Sequence, residues 1–267
     1  MDLTNDQRIA AIERECDRII DLATPSNLDR PVPSCPDWTY LDLVKHLARV
    51  YSWAGSIVEG QLGEPPSREE LARRPDNVSH VDWLADRLDF VTRALRTTPE
   101  TASVWNFGQD SPGNPAWWAR RQMNETIIHR VDAESAADHE RSTAGAGATS
   151  TPVDPQVAAD IVDEVLELLR FEEVEPDDMH QADGIWVHLH ATDASGAEWT
   201  VDTASKTFTR AHMKGDVALR GPAWALARWT WGRLPEQGST DKSGTPSELE
   251  VFGDVAAAET WRRTLPL

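Results

Sequence analysis

The sequence predicts two unlike domains, a four-helix bundle followed by a small α+β domain, which is the class α plus α+β. Three observations predict it. Apolar residues recur at helical spacing through the first half, a small polar stretch interrupts the chain near residue 140, and apolar and polar residues alternate as in strands beyond residue 155. At 267 residues the chain has material for two domains or one large one, with ample core for either. The expected division is a bundle over residues 1–140, a linker over 141–154 and an α+β domain over 155–267.

The first helix opens on a capping box of Thr4 and Gln7 and continues through Ile9, Ile12, Cys16 and Ile19. After the turn-rich run from Pro31 to Asp37, a second helix is expected over about residues 39–59, with Leu43, Leu47, Val50, Trp53, Ala54 and Ile57 as its apolar stripe. A third begins at Ser79 and Asp82 and carries Leu84, Leu88, Val91 and Leu95. A fourth has Asn114 as cap and Pro115 at its first position and runs to about Ala137. The connections near residues 60–78 and 98–113 exceed a typical bundle turn, and such loops can cover one end of a bundle. Beyond Pro155, residues 157–171 are periodic for a helix, and Ile185, Val187, Leu189 and Ala191 alternate with Trp186, His188 and His190 as a half-buried strand does. Further strands are expected over residues 199–203, 207–211, 216–219 and 249–252, with a helix from Gly221-Pro222 through Trp231 and a short one around Trp261.

Composition narrows the partners. With 26 Lys and Arg against 45 Asp and Glu, a net charge of −19 repels phosphate backbones and anionic lipid, which argues against nucleic acid and membrane partners. Cys16 and Cys35 alone make neither a disulfide framework nor a CxxC signature, so a reducing compartment fits. No apolar run approaches the ~20 residues of a membrane span and the start lacks a leader pattern, so the expected location is cytoplasmic. The 12 Trp fall mostly in periodic segments, where they serve as core anchors.

The candidate chemistry lies on two helices. Glu125 and His129 stand four residues apart on one face, with Asp132 extending the stripe, a spacing that one metal ion can bridge. The same stripe is equally what a solvated face looks like, since Met123, Ile127 and Val131 lie opposite. His46 falls within the apolar stripe of the second helix, so it points into the bundle, as a satisfied core histidine or as a ligand. Joined with Glu125 and His129 it forms a set of two imidazoles and a carboxylate, which suits zinc or a neighbouring first-row ion and leaves a position open.

Other residues carry weaker signals. His188 and His190 share a strand face, but a strand-surface pair without a third ligand is ordinarily solvated. Cys35 has no His at a recognisable motif spacing to activate it. Arg49, Arg120 and Arg121 could each bind a carboxylate, although each reads individually as a surface charge. His80, His139, His180 and His212 carry no signal.

The runs Val32-Pro33-Ser34-Cys35-Pro36-Asp37-Trp38-Thr39, Asp42 to Leu47 and Asn124 to Glu134 resemble the mycothiol-dependent maleylpyruvate isomerase family, part of the DinB/YfiT-like superfamily of metal-binding four-helix bundles. Asp216 to Pro222, Trp231-Gly232-Arg233-Leu234-Pro235 and Leu249 to Asp254 are similar to that family's C-terminal domain, which is related to sterol-carrier-protein (SCP2-like) folds. The resemblance implies a divalent metal, zinc or else nickel, at His46, Glu125 and His129, and mycothiol as a thiol co-substrate. It implies an electrophilic small molecule as the other partner, isomerised or taking up the thiol. Where the family pattern usually reads Gly, this chain has Asp37. Two alternatives stay open, a small-molecule-binding protein with a structural metal and a metallohydrolase that needs no thiol.

Overall fold

In the computed structural model, residues 3–108, 112–138, 151–169, 172–173, 175, 184–234 and 248–263 are described. Most of the predicted linker lies outside the described residues, as do His139, Phe171, His180 and Pro235. The chain divides into two units, Met1–Ser142 and Thr143–Leu267.

The first unit is built from α1 (Asn5–Leu22), α2 (Tyr40–Glu59), α3 (His80–Thr97) and α4 (Pro115–Ala137). Local chemistry sets each start. Thr4 and Gln7 close a reciprocal capping box on α1, Thr39 and Asp42 close one on α2, the Ser79 side chain accepts from Asp82 N–H, and Asn114 caps α4 with Pro115 behind it. Each such cap satisfies orphan N–H groups that would otherwise fray the first turn, which fixes where the helix begins. α2 packs on α3 and α1 on α4, around Ile12, Ile19, Leu43, Leu47, Tyr51, Leu84, Val91 and Trp118.

α4 departs from the amphipathic pattern of its neighbours. Residues on every face of it are buried, among them Arg121, Glu125, His129, Arg130 and Asp132. Arg130, wholly buried, donates to Glu15 of α1 at 2.9 Å and to Glu134 at 2.7 Å. Buried charge is tolerable only when paired in this way. The stripe of Glu125, His129 and Asp132 is therefore an internal polar seam and not the solvated face that was its alternative reading, because α1 and α2 supply partners for this helix.

The second unit combines α5 (Pro155–Leu168), α6 (Ala223–Thr230) and α7 (Val255–Arg263) with a six-stranded sheet. Its strands are β1 (Glu172–Glu173), β2 (Trp186–Ala191), β3 (Glu198–Asp202), β4 (Thr207–Thr209), β5 (Val217–Gly221) and β6 (Glu250–Gly253), in the order β1-β4-β3-β2-β5-β6. β2 pairs antiparallel with β3 and parallel with β5. α5 packs on α6, and α6 on β2 and β5, where Val187, Leu189, Val217 and Leu219 are buried. Every strand expected from the sequence forms, and the two-residue β1 is additional. Gly253 sits at φ 92° where β6 ends, and a Cβ there would run into the Asp216 carbonyl oxygen, so no other residue fits that corner without displacement.

Candidate metal centre

The segment before α2, the first half of α2 and the middle of α4 make the site. Val32 N–H donates to Trp38 O at 2.9 Å, Trp38 N–H to Cys35 O at 3.1 Å and Tyr40 N–H to Arg30 O at 2.9 Å, which folds residues 30–40 into a tight loop. Asp37 turns that loop at φ 67°, a left-handed conformation that Asp adopts more readily than most residues and Gly more readily still. The turn sets the Trp38 ring 4.9 Å from His46 and 6.1 Å from His129, centroid to centroid.

His46, Glu125 and His129 meet. His46 Nε2 lies 3.0 Å from Glu125 Oε1 and His129 Nε2 lies 3.3 Å from the same oxygen. One ligand atom from each residue falls within 4.8 Å of the other two. On the far side of the imidazole, His129 Nδ1 is 2.8 Å from Asp132 Oδ2. That contact fixes the ring and leaves Nε2 facing the other two donors, the outer-shell arrangement that metal-binding histidines use. Asp132 is wholly buried and also accepts from Ser34 Oγ and, at 3.6 Å, from Cys35 Sγ. Arg121 pairs with the second oxygen of Glu125. The donor chemistry, two imidazoles and a carboxylate with an ordering carboxylate behind one of them, fits a divalent first-row cation.

The electrostatics are those of a desolvated charged cluster. Burial pushes the Glu125 carboxyl up, but the Arg121 and His129 charges and hydrogen bonds from both histidines outweigh it and hold the group well below the usual carboxylate range. Burial lowers His129 while Glu125 and Asp132 raise it, for a result of about 9. Beside the site lies a cavity of about 820 Å³, lined by His46 together with Lys45, Arg49, Arg68, Arg73 and Arg74.

Measured against the sequence, His46 is half-buried at the cavity wall and not sealed in the core, its side chain 26% exposed. Arg121, read as a surface charge, is buried against Glu125 because α4 runs through the interior. Arg49 is exposed and lines the cavity. Cys35 lacks a neighbouring His in sequence, yet the loop brings it into one group with His129 and Asp132. Trp38 and Ser34 were the site residues that spacing alone did not single out, and Arg121 was weighed as a binder of a substrate carboxylate and not as the partner of Glu125. The usable signal for the first two was their place in the Pro-rich run, and for Arg121 it was the i,i+4 step to Glu125.

Residues 9–134 match the family described as Mycothiol maleylpyruvate isomerase N-terminal domain, and residues 156–260 match the MDMPI C-terminal domain. The fold is similar to a crystal structure of the mycothiol-dependent maleylpyruvate isomerase at 17% identity and a TM-score of 0.54, covering 93% of this chain and 97% of that one. It is similar also to a histidine-to-alanine mutant of that isomerase at 16% identity and a TM-score of 0.52, with the same coverage. No curated protein matches the chain.

Proposed function

This chain belongs to the mycothiol-dependent maleylpyruvate isomerase family through both of its domains, and from that premise we propose a metal-dependent enzyme that uses a low-molecular-weight thiol, mycothiol, on an electrophilic unsaturated acid. His46, Glu125 and His129 would hold one divalent cation, zinc in preference to nickel. The observation that carries the reading is their convergence beside a cavity rich in Lys and Arg. Three donors of an N2O set, one of them in the cavity wall, support an open catalytic arrangement over a closed structural staple. A divalent cation bound there supplies a Lewis acid that lowers the pKa of a thiol and makes a nucleophile at neutral pH.

The protein's own residues do the rest. Asp132 holds His129 in the tautomer that presents Nε2, and the Arg121 charge keeps Glu125 ionised. Trp38 packs against both imidazoles and limits their rotation. Lys45, Arg49, Arg68 and Arg73 give the cavity a positive lining within a chain of net charge −19, which suits a small carboxylate substrate. In the reaction this arrangement serves, the thiol sulfur bonds to one alkene carbon and the π electrons move into the conjugated carbonyl. The remaining single bond rotates, and expulsion of the thiolate restores the double bond in the opposite geometry. Return of the thiol's proton to the α-carbon of the enolate keeps the sulfur in place and gives transfer instead.

Neither Cys16 nor Cys35 is in a disulfide, which supports a reducing, cytoplasmic setting. No helix among the described residues is long and apolar enough to cross a membrane. The test is turnover of unsaturated acids with mycothiol before and after chelation. Activity should vanish on metal removal and return on zinc addition. Unchanged turnover in the metal-free protein would refute the metal's role, and turnover without thiol would indicate a hydrolase.

A further inference from the structure

The strand period puts His188 and His190 of β2 on one face of the sheet, opposite Val187 and Leu189, which are buried. In the β2–β3 register His190 faces Glu198 and His188 faces Thr200, so the carboxylate of Glu198 arrives on the same face. Thr200 Oγ1 donates to Ala211 O at 3.0 Å, tying the segment beyond β4 across that face and delivering His212. A single oxygen, Glu198 Oε1, then has His188 Nε2 at 2.7 Å, His190 Nδ1 at 2.8 Å and His212 Nδ1 at 2.5 Å. The His188 and His212 rings stand edge to face, 4.8 Å apart.

We propose that His188, His190, Glu198 and His212 form a second divalent-metal site, for Zn²⁺ or a neighbouring first-row ion, that clasps the segment after β4 to the sheet. Three imidazole nitrogens crowd one carboxylate oxygen that has only two lone pairs, so hydrogen bonding alone accounts poorly for the convergence. One ligand atom from each of the four residues lies within 4.8 Å of all the others. Ligands about 2.1 Å from a tetrahedral zinc sit roughly 3.4 Å from one another, so side-chain adjustment closes the difference. An N3O set excludes Mg²⁺ and Ca²⁺, which take oxygen shells, and suits Zn²⁺. Four protein donors complete a tetrahedron, the mark of a structural site, in contrast with the three donors in the bundle. Sequence spacing pointed to a bare strand-surface pair; the cross-strand Glu198 and the long-range His212 supply the missing ligands.

The experiment counts zinc on tag-free, full-length protein that has been stripped with chelator, reloaded with Zn²⁺ and freed of excess. Wild type is compared with His190→Ala/His212→Ala, whose side chains are 36% and 74% exposed and so are expendable for folding, and with His46→Ala/His129→Ala. The first variant should hold one equivalent less than wild type, whether or not the bundle fills, and the second should still hold the equivalent that the first has lost. Equal zinc in wild type and in the His190/His212 variant overturns the proposal and leaves the bundle reading untouched. Should the first variant fail to fold, Co²⁺ added to His46→Ala/His129→Ala decides. Tetrahedral d–d absorption at one equivalent supports the site, and its absence overturns it.

Discussion

The bundle and the sheet gather histidines around a carboxylate by different means. In the bundle, Glu125 and His129 come together through the i,i+4 step of one helix and meet His46 from another, inside a seam where Arg121, Arg130, Asp132 and Glu15 are also buried. In the sheet, His188 and His190 come together through the two-residue period of a strand and meet Glu198 by register, with His212 74% exposed at the edge. A donor set in the interior must be neutralised and oriented by further buried charges, and those charges become part of the fold's stability. The sheet set is held mainly by its own members, so losing its exposed His190 and His212 should cost the domain less than losing a buried member of the bundle set.

The sharpest way to break this contrast is to remove a supporting charge. Arg130→Ala removes the buried guanidinium that Glu15 and Glu134 share and should cost about 3 kcal/mol in urea unfolding, the low end for a broken buried pair, because Arg14 and Arg18 still reach Glu15. Arg220→Ala removes an exposed partner of Glu250 in the sheet and should cost no more than ~0.5 kcal/mol. Comparable losses would mean that the seam is not a structural element. Next in size is the site itself. His46→Ala should lower mycothiol-dependent turnover by about 100-fold or more, since losing a ligand exceeds the ~10–100-fold of losing an outer-shell partner. His190→Ala should leave that turnover unchanged.

What the sequence could tell differs between the two regions for the same reason. Helix starts were legible because caps are local: Thr4, Ser79 and Asn114 each sit where the pattern puts them, while the Thr39 cap of α2 emerges only in the structure. His46, Glu125 and His129 were legible as candidates because helical spacing and the family resemblance agree on them. The burial of Arg121, Arg130 and Asp132 was not, because a charged stripe reads as solvent-facing until a partner such as Glu15, 115 residues away, is placed against it. His212 was likewise invisible, since its approach to Glu198 depends on the turn of β4 and the tether at Ala211. Asp37 shows the converse, a local departure that the backbone explains at once.

Asp132→Asn sharpens the bundle side at intermediate size. The amide keeps the shape and one acceptor but loses the charge that fixes His129, so zinc affinity measured by competition with a chromophoric chelator should fall about 10–100-fold. An unchanged affinity would reduce Asp132 to a packing residue. At Asp37, a β-branched side chain cannot hold φ 67° without strain, so Asp37→Val should be about 1 kcal/mol less stable than Asp37→Gly in thermal or urea unfolding. Equal stability of the two variants would show that the loop relaxes freely and does not hold Trp38 in place.

The smallest effect concerns the start of α2, one turn before His46. Hydrogen bonds from the Thr39 hydroxyl and backbone N–H, with Lys45 adding to them, hold the Asp42 carboxyl down at about 2. The unfolded chain titrates near the ordinary aspartate value of about 3.9. A depressed folded value stabilises the native state above pH ~4, and that contribution is lost as pH falls toward 2. The side chain is 42% exposed, so solvent screening limits the gain to about 0.5 kcal/mol. Asp42→Asn should therefore lie slightly below wild type in stability from pH 4 to 7, and the two curves should converge near pH 2. Parallel curves across that range would place the acid sensitivity of the bundle on its buried carboxylates, with the cap contributing none of it.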